Sequence, residues 1–146
     1  MKINHEELKA LVPQKGKMFL LGEVTNADWQ NWKIESETKI TEDFMFYDKS
    51  LGGAPNYACF EIAAQSIACL TGLYCRENNL PMNMGMILSV SNFHFDFDKV
   101  SPGSVVGAKA VREAEMENIY SFRAEILIDG KASGGGKLTV MEVKSN

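Results

Sequence analysis

YACFEIAAQSIACLTGLYC, residues Tyr57–Cys75, is apolar almost throughout and carries a single formally charged side chain, Glu61. Apolar residues on all sides of a helical wheel mark a helix that is buried around most of its circumference. The run nears the length of a membrane span, but Glu61, Gln65 and Ser66 interrupt it. A glutamate near mid-bilayer is costly, so a soluble core helix is expected, with no membrane partner. Burying an unpaired carboxylate costs several kcal/mol, so Glu61 must be hydrogen-bonded, paired or protonated, or else reach water at an edge of the helix. A carboxylate tuned by burial suits proton transfer, which makes Glu61 the first candidate catalytic residue.

Outward from the helix, the period changes to two on both sides. Upstream, Lys17–Asp28 and Trp29–Ile40 read as two strands, the second alternating Trp32, Ile34 and Ile40 with charged neighbours. Glu6–Leu11 reads as a short helical turn stopped by Pro13. The aromatic loop Thr41–Ala54 holds Phe44, Phe46 and Tyr47 just before the helix, as core cover or as a ligand wall. Pro55 stands where the helix can begin, and Asn78, Asn79 and Pro81 end it. Downstream, Met86–Phe97 sets Phe93, Phe95 and Phe97 on one face and His94, Asp96 and Asp98 on the other. Ser104–Glu115, Ile119–Ile128 and Ala132–Val143 complete a four-strand meander, with Asp129-Gly130 as a two-residue hairpin turn. Two strands, one apolar helix and four strands predict an α+β domain of about six antiparallel strands curled around the helix. Its edge strands make dimerisation edge to edge an expectation.

The 146 residues fit one domain, 1–146, and the formal net charge of −4, without a basic aromatic-rich cluster, argues against nucleic acid. MKINHEELKAL has no apolar signal-peptide core, and Cys59, Cys69 and Cys75 show no disulfide spacing, so a reducing cytoplasm is expected. His94, Asp96 and Asp98 read as a solvated face and no metal is expected, since the remaining histidine is His5. Gly134-Gly135-Gly136-Lys137 lacks the phosphate-loop spacing and reads instead as a bulge or close backbone approach. No Gly-x-Ser-x-Gly elbow is present.

Two segments then carry a family likeness. LVPQKGKMFLL, Leu11–Leu21, resembles the Leu-Pro-His-x-x-Pro-Met/Phe-Leu-Leu opening of the hotdog-fold beta-hydroxyacyl-ACP dehydratases. PNYACFEIAAQ, Pro55–Gln65, resembles their proline-led helix with Glu-x-x-x-Gln. The likeness is closer still to the dehydratase-like proteins of aryl-polyene gene clusters, and it spans about Leu8–Val143.

The resemblance implies a hotdog fold and an acyl thioester of ACP or CoA as substrate, with no cofactor. It also implies a site shared between subunits, in a homodimer or in a heteromer with a related hotdog protein. In that family a loop histidine takes the proton next to the thioester, and the helix glutamate of the other subunit protonates the departing 3-hydroxyl. Glu61 matches the acid and Gln65 the helix glutamine, while Gln14 fills the histidine position. A carboxamide hydrogen-bonds but takes up no proton at neutral pH. His5 lies upstream and approaches only if the N-terminal segment folds back. Three readings stay open: a dehydratase with altered chemistry at Glu61 and Gln14, a thioesterase with Glu61 activating water, and a non-catalytic acyl-binding subunit. In each, Phe44, Phe46, Pro55, Asn56, Tyr57 and Gln65 are the expected substrate contacts. Lys15 and Lys17 are expected at the mouth, facing phosphopantetheine or an acidic carrier.

Overall fold

The computed structural model describes residues 1–143. Helix α1 spans His5–Leu11, and a 3₁₀ turn, Gly16–Met18, follows it. Strands β1 (Glu23–Asp28) and β2 (Lys33–Lys39) precede the two-residue β3 (Ala54–Pro55) and the long helix α2 (Tyr57–Glu77). Then come β4 (Met84–Phe95), the two-residue β5 (Lys99–Val100), β6 (Val105–Met116), β7 (Ile119–Ile128) and β8 (Lys131–Val143). The main sheet is six-stranded and antiparallel, in the order β1-β2-β6-β7-β8-β4. This is the hotdog arrangement, a long helix held in a curved sheet.

Three sequence expectations are corrected. Lys17–Leu21 is not strand; the chain turns there and β1 starts only at Glu23. Pro55 is not in the helix, because Ala54–Pro55 pairs with Lys99–Val100 first. The last four strands are not one meander. β6, β7 and β8 are consecutive neighbours, but β4 pairs with β8 at the far edge and β6 pairs with β2. β4 thereby becomes the far edge of the sheet, facing α2 across a gap and not packed on it. The Asp129-Gly130 turn behaves as expected, with φ of 51° and 83° at its two central residues.

Local chemistry explains α1. Asn4 caps it by accepting the Glu7 N–H at 2.9 Å, and Glu6 and Glu7 sit in its first turn, where the helix dipole favours acids. Leu8 and Leu11 are buried against α2. The core of α2 is Ala58, Cys59, Ile62, Ala63, Ile67, Cys69, Leu70 and Leu73, all buried. These meet inward-facing Ile34 of β2 and Val106, Ala108 and Ala110 of β6 in one cluster. By length and composition α2 could cross a membrane, yet 67% of its apolar window is buried inside the fold.

The helix is not buried all round. It rests on β6 and β2, touches β1 and β7 lightly, and leaves a gap toward β4 and β8. Tyr57 is exposed, and Phe60, Glu61, Ala64, Ala68 and Thr71 are only partly covered.

Candidate active site

The gap is a cavity of about 420 Å³, within the range of small-molecule sites. One wall is a stripe of α2: Ala64, Ile67, Ala68, Thr71, Gly72 and Cys75. The steps of three and four residues keep these on one face, and the stripe runs roughly 16 Å at 1.5 Å per residue. Small side chains dominate it, which is why the helix surface there is a furrow. The loop after α1, Val12–Lys15, forms a second wall. Gly85 and Ile87 of β4 with Leu138 and Val140 of β8 form a third.

Gln14 lines this cavity, at the position that the resemblance assigns to the base. Its Oε1 is shielded from water and has no hydrogen-bond partner in the protomer. Leaving a buried acceptor unpaired costs about 1–3 kcal/mol. Glu61 lies three residues before Ala64, one turn nearer the start of α2 on the same side of the helix; it is partly buried and is not itself in the cavity lining. Among the described residues no hydrogen bond or ion pair engages its carboxylate, and in the single chain it keeps some access to water at the edge of the helix.

Gln65 is engaged by the backbone of the 3₁₀ turn. It is buried, its Oε1 accepts the Leu20 N–H at 2.9 Å, and its Nε2 donates to the Met18 carbonyl at 2.7 Å. The carboxamide is a strut that pins the 3₁₀ turn to α2, and it does not line the cavity. Lys15 also serves the backbone: its ammonium donates to the carbonyls of Lys9 and Val12, closing the end of α1. Its stem lines the cavity. Lys17 is exposed on the 3₁₀ turn.

The remaining expected contacts gather at the start of α2, apart from the cavity lining. Tyr57 meets Phe46 edge to face at 5.9 Å, and Phe46 meets Phe44 at 6.1 Å. Asn56 donates its side-chain amide to the Phe97 carbonyl at 3.0 Å, and its backbone N–H to the Asp98 carbonyl. With Pro55 held in the β3–β5 pair, these two residues anchor the helix start. Phe60, Phe93, Phe95 and Phe97 form a chain of ring contacts 5.2–5.5 Å apart beside them.

The N-terminal segment does fold back, bridging Ile3 to Val24. It delivers His5 elsewhere, though: Nδ1 donates to the Gly22 carbonyl at 3.0 Å and the ring packs on Phe19. All three cysteines are free and buried, and burial pushes the Cys59 and Cys69 thiols up to about 12, which keeps them protonated. The glycine run acts as a close approach, since a Cβ on Gly136 would stand 2.4 Å from the Phe93 Cα. Sequence reasoning missed the helix stripe of the cavity; its signal is there in the small residues Ala64, Ala68, Thr71 and Gly72 at steps of four, three and one.

A subunit of the dehydratase heterocomplex ApeI:P from Xenorhabdus doucetiae superposes on this fold with a TM-score of 0.86 at 21% identity, covering 94% of this chain and 91% of that one. A hypothetical thioesterase from Streptococcus pneumoniae, solved with coenzyme A, gives 0.64 at 11% identity over 84% and 86% of the two chains. A point mutant of the phenylacetic acid degradation protein PaaI from Thermus thermophilus gives 0.60 at 18% identity over 82% and 91%. At these identities the structures share the fold. No curated protein matches the sequence. The sequence profile of the ApeP-like dehydratases matches residues 6–146, nearly the whole chain, and the protein belongs to that family.

Proposed function

We propose that this chain is a subunit of a hotdog dehydratase for 3-hydroxyacyl thioesters of ACP or CoA, joined through β4 to a related hotdog subunit that carries the titratable base. The observation that carries this reading is Glu61: a partly buried carboxylate with no partner among the described residues, one turn before the first helix residue of the cavity. In the reaction a base removes a proton from C2 and the C2–C3 double bond forms. The C3–O bond breaks as Glu61, in its acid form, gives a proton to the departing hydroxyl, which leaves as water. Gln14 cannot take the C2 proton, so the base comes from the partner. The partner's place is supported by β4, an edge strand whose Met86, Ile87, Leu88 and Val90 are 42–49% exposed. That the Xenorhabdus relative is a heterocomplex supports a related subunit as the occupant. A pair of identical chains is the alternative assembly, with Gln14 at both sites.

The test is enoyl absorbance and free-thiol release from 3-hydroxyacyl thioesters, on the unmodified chain, the two single variants Gln14→His and Glu61→Gln, and their combination. Alone, the unmodified chain is expected to do neither. Gln14→His should create hydration and dehydration activity about 10²-fold or more above the background of the unmodified chain, the usual scale of general acid–base catalysis, and Glu61→Gln on top should abolish the gain. Thiol release by the unmodified chain, lost with Glu61→Gln alone, would make it a thioesterase instead.

A further inference from the structure

The geometry points to Met82 as the residue that closes the far end of the cavity and sets how long an acyl chain it accepts. This rests on the acyl-thioester reading above. The α2 stripe runs from Ala64, next to Glu61, to Cys75 in the last turns, so a chain whose thioester lies near Glu61 points its tail toward Gly72 and Cys75. At that end the segment after α2 crosses the furrow, and Met82 and Asn83 line the cavity there. Met82 lies on the bare backbone of Gly72: a Cβ at Gly72 would come within 2.9 Å of the Met82 methyl and 2.6 Å of the Leu11 carbonyl oxygen. The glycine therefore makes room for two things at once, the loop that roofs the cavity and the thioether that fills its end.

Other closures of that end are less able to give way. Leu11 is buried and is tied into α1, and Cys75 belongs to the helix itself. Asn83 donates its amide to the Glu142 carboxylate. Met82 alone among these combines 49% exposure with an unbranched side chain that can change rotamer, so moving it costs little packing. It is a stopper that yields, and its removal lengthens the cavity toward solvent.

The experiment measures affinities of the full chain for saturated acyl-pantetheine thioethers of increasing length. It compares the unmodified protein with Met82→Ala and Met82→Trp; because Met82 is half outside the core, both variants are expected to fold. While added methylenes still enter apolar space, each should tighten binding roughly fourfold, from about 0.8 kcal/mol per buried CH₂. In the unmodified protein the gain should stop at a definite length. Met82→Ala should move that break to longer chains and Met82→Trp to shorter ones. A break at the same length in all three overturns the role of Met82 and leaves the acyl reading standing. Affinity that does not rise with length in any of them overturns both.

Discussion

β2 and β6 turn Ile34, Ser36, Thr38, Val106, Ala108 and Ala110 toward α2 and bury every one of them. β4, in the same sheet, holds Met86, Ile87, Leu88 and Val90 and leaves them nearly half exposed. The exposed set is the more apolar of the two, and the buried set includes two hydroxyls, Ser36 resting on Ser66 at 2.8 Å. Side-chain hydrophobicity therefore does not decide which half is covered; the position of α2 over β2 and β6 does. β4 also lacks the charged residues and prolines that commonly guard an edge, since MGMILSVSNFHF contains no Lys, Glu or Pro; its guards are two register irregularities, at Ile87–Ser89 and Ser91–His94. An exposed apolar edge beside a cavity is where the partner proposed above would sit, whereas the covered half carries the stability of the fold.

The largest expected effect tests that division directly. Ile62 is fully buried on α2, so Ile62→Ala should cost about 2–5 kcal/mol in denaturant unfolding, the range for deleting a large core side chain. Val90→Ala, on the open half, should stay within about 0.5 kcal/mol when measured on dissociated chains, yet weaken assembly in sedimentation experiments. Equal costs for the two variants would mean that β4 is part of the protomer's own core and the contrast is wrong.

Gln65 gives a smaller effect that sharpens the comparison at its border. Gln65→Leu keeps the volume but strands the Leu20 N–H and the Met18 carbonyl, at about 1–3 kcal/mol for each group that stays buried and unpaired. The loss should be local first. Amide exchange at Leu20 should accelerate well beyond the global change, because Gln65 ties the loop that bears Gln14 to the covered side of α2. If Leu20 exchanges no faster relative to the core, the strut does not hold the loop.

Much of this is legible in the chain itself. The apolar run Tyr57–Cys75 announces α2, period-two patterning locates β2, β6, β7 and β8, and two short motifs point to the family. What fails are statements about neighbours. Pairing order depends on partners distant in sequence, and nothing local in Met86–Phe97 says that β4 skips past β6 to β8. The tie of Gln65 to Met18 and Leu20 cannot be seen beforehand, because these partners lie far from it in sequence and are backbone groups, which leave no side-chain pattern. For Glu61 the apolar helix neighbours leave enclosure and access to water equally open, and it is the furrow of small residues next to it that keeps that side of the helix uncovered. Gln14 stands in the cavity wall, and only a motif with fixed spacing draws attention to it beforehand.

The smallest effect lies on the solvent face, where the covered and open halves are tied by charge instead of packing. Glu113 is the extra residue of the bulge between Arg112 and Ala114 on β6, and it receives Arg123 of β7 and, at 3.4 Å, Lys137 of β8. The hydrogen bond from Arg123, with the charges of Arg123 and Lys137 adding to it, holds the Glu113 carboxyl below its ordinary value of 4.5. A depressed folded-state value means that the folded chain binds the proton less readily than the unfolded chain does. The stabilisation is therefore complete above the ordinary carboxylate value, and it is lost as pH falls through the lower, folded-state one. Because the group is at the surface, the contribution is small and salt screens it. Glu113→Gln should lower Tm slightly at neutral pH in low salt. The gap to the unmodified protein should narrow as pH drops below 4.5, and narrow again when salt is added at neutral pH. A gap that widens on acidification would mean that the three charges are not what links β6, β7 and β8 on this face, and that the link between the two halves of the sheet is packing alone.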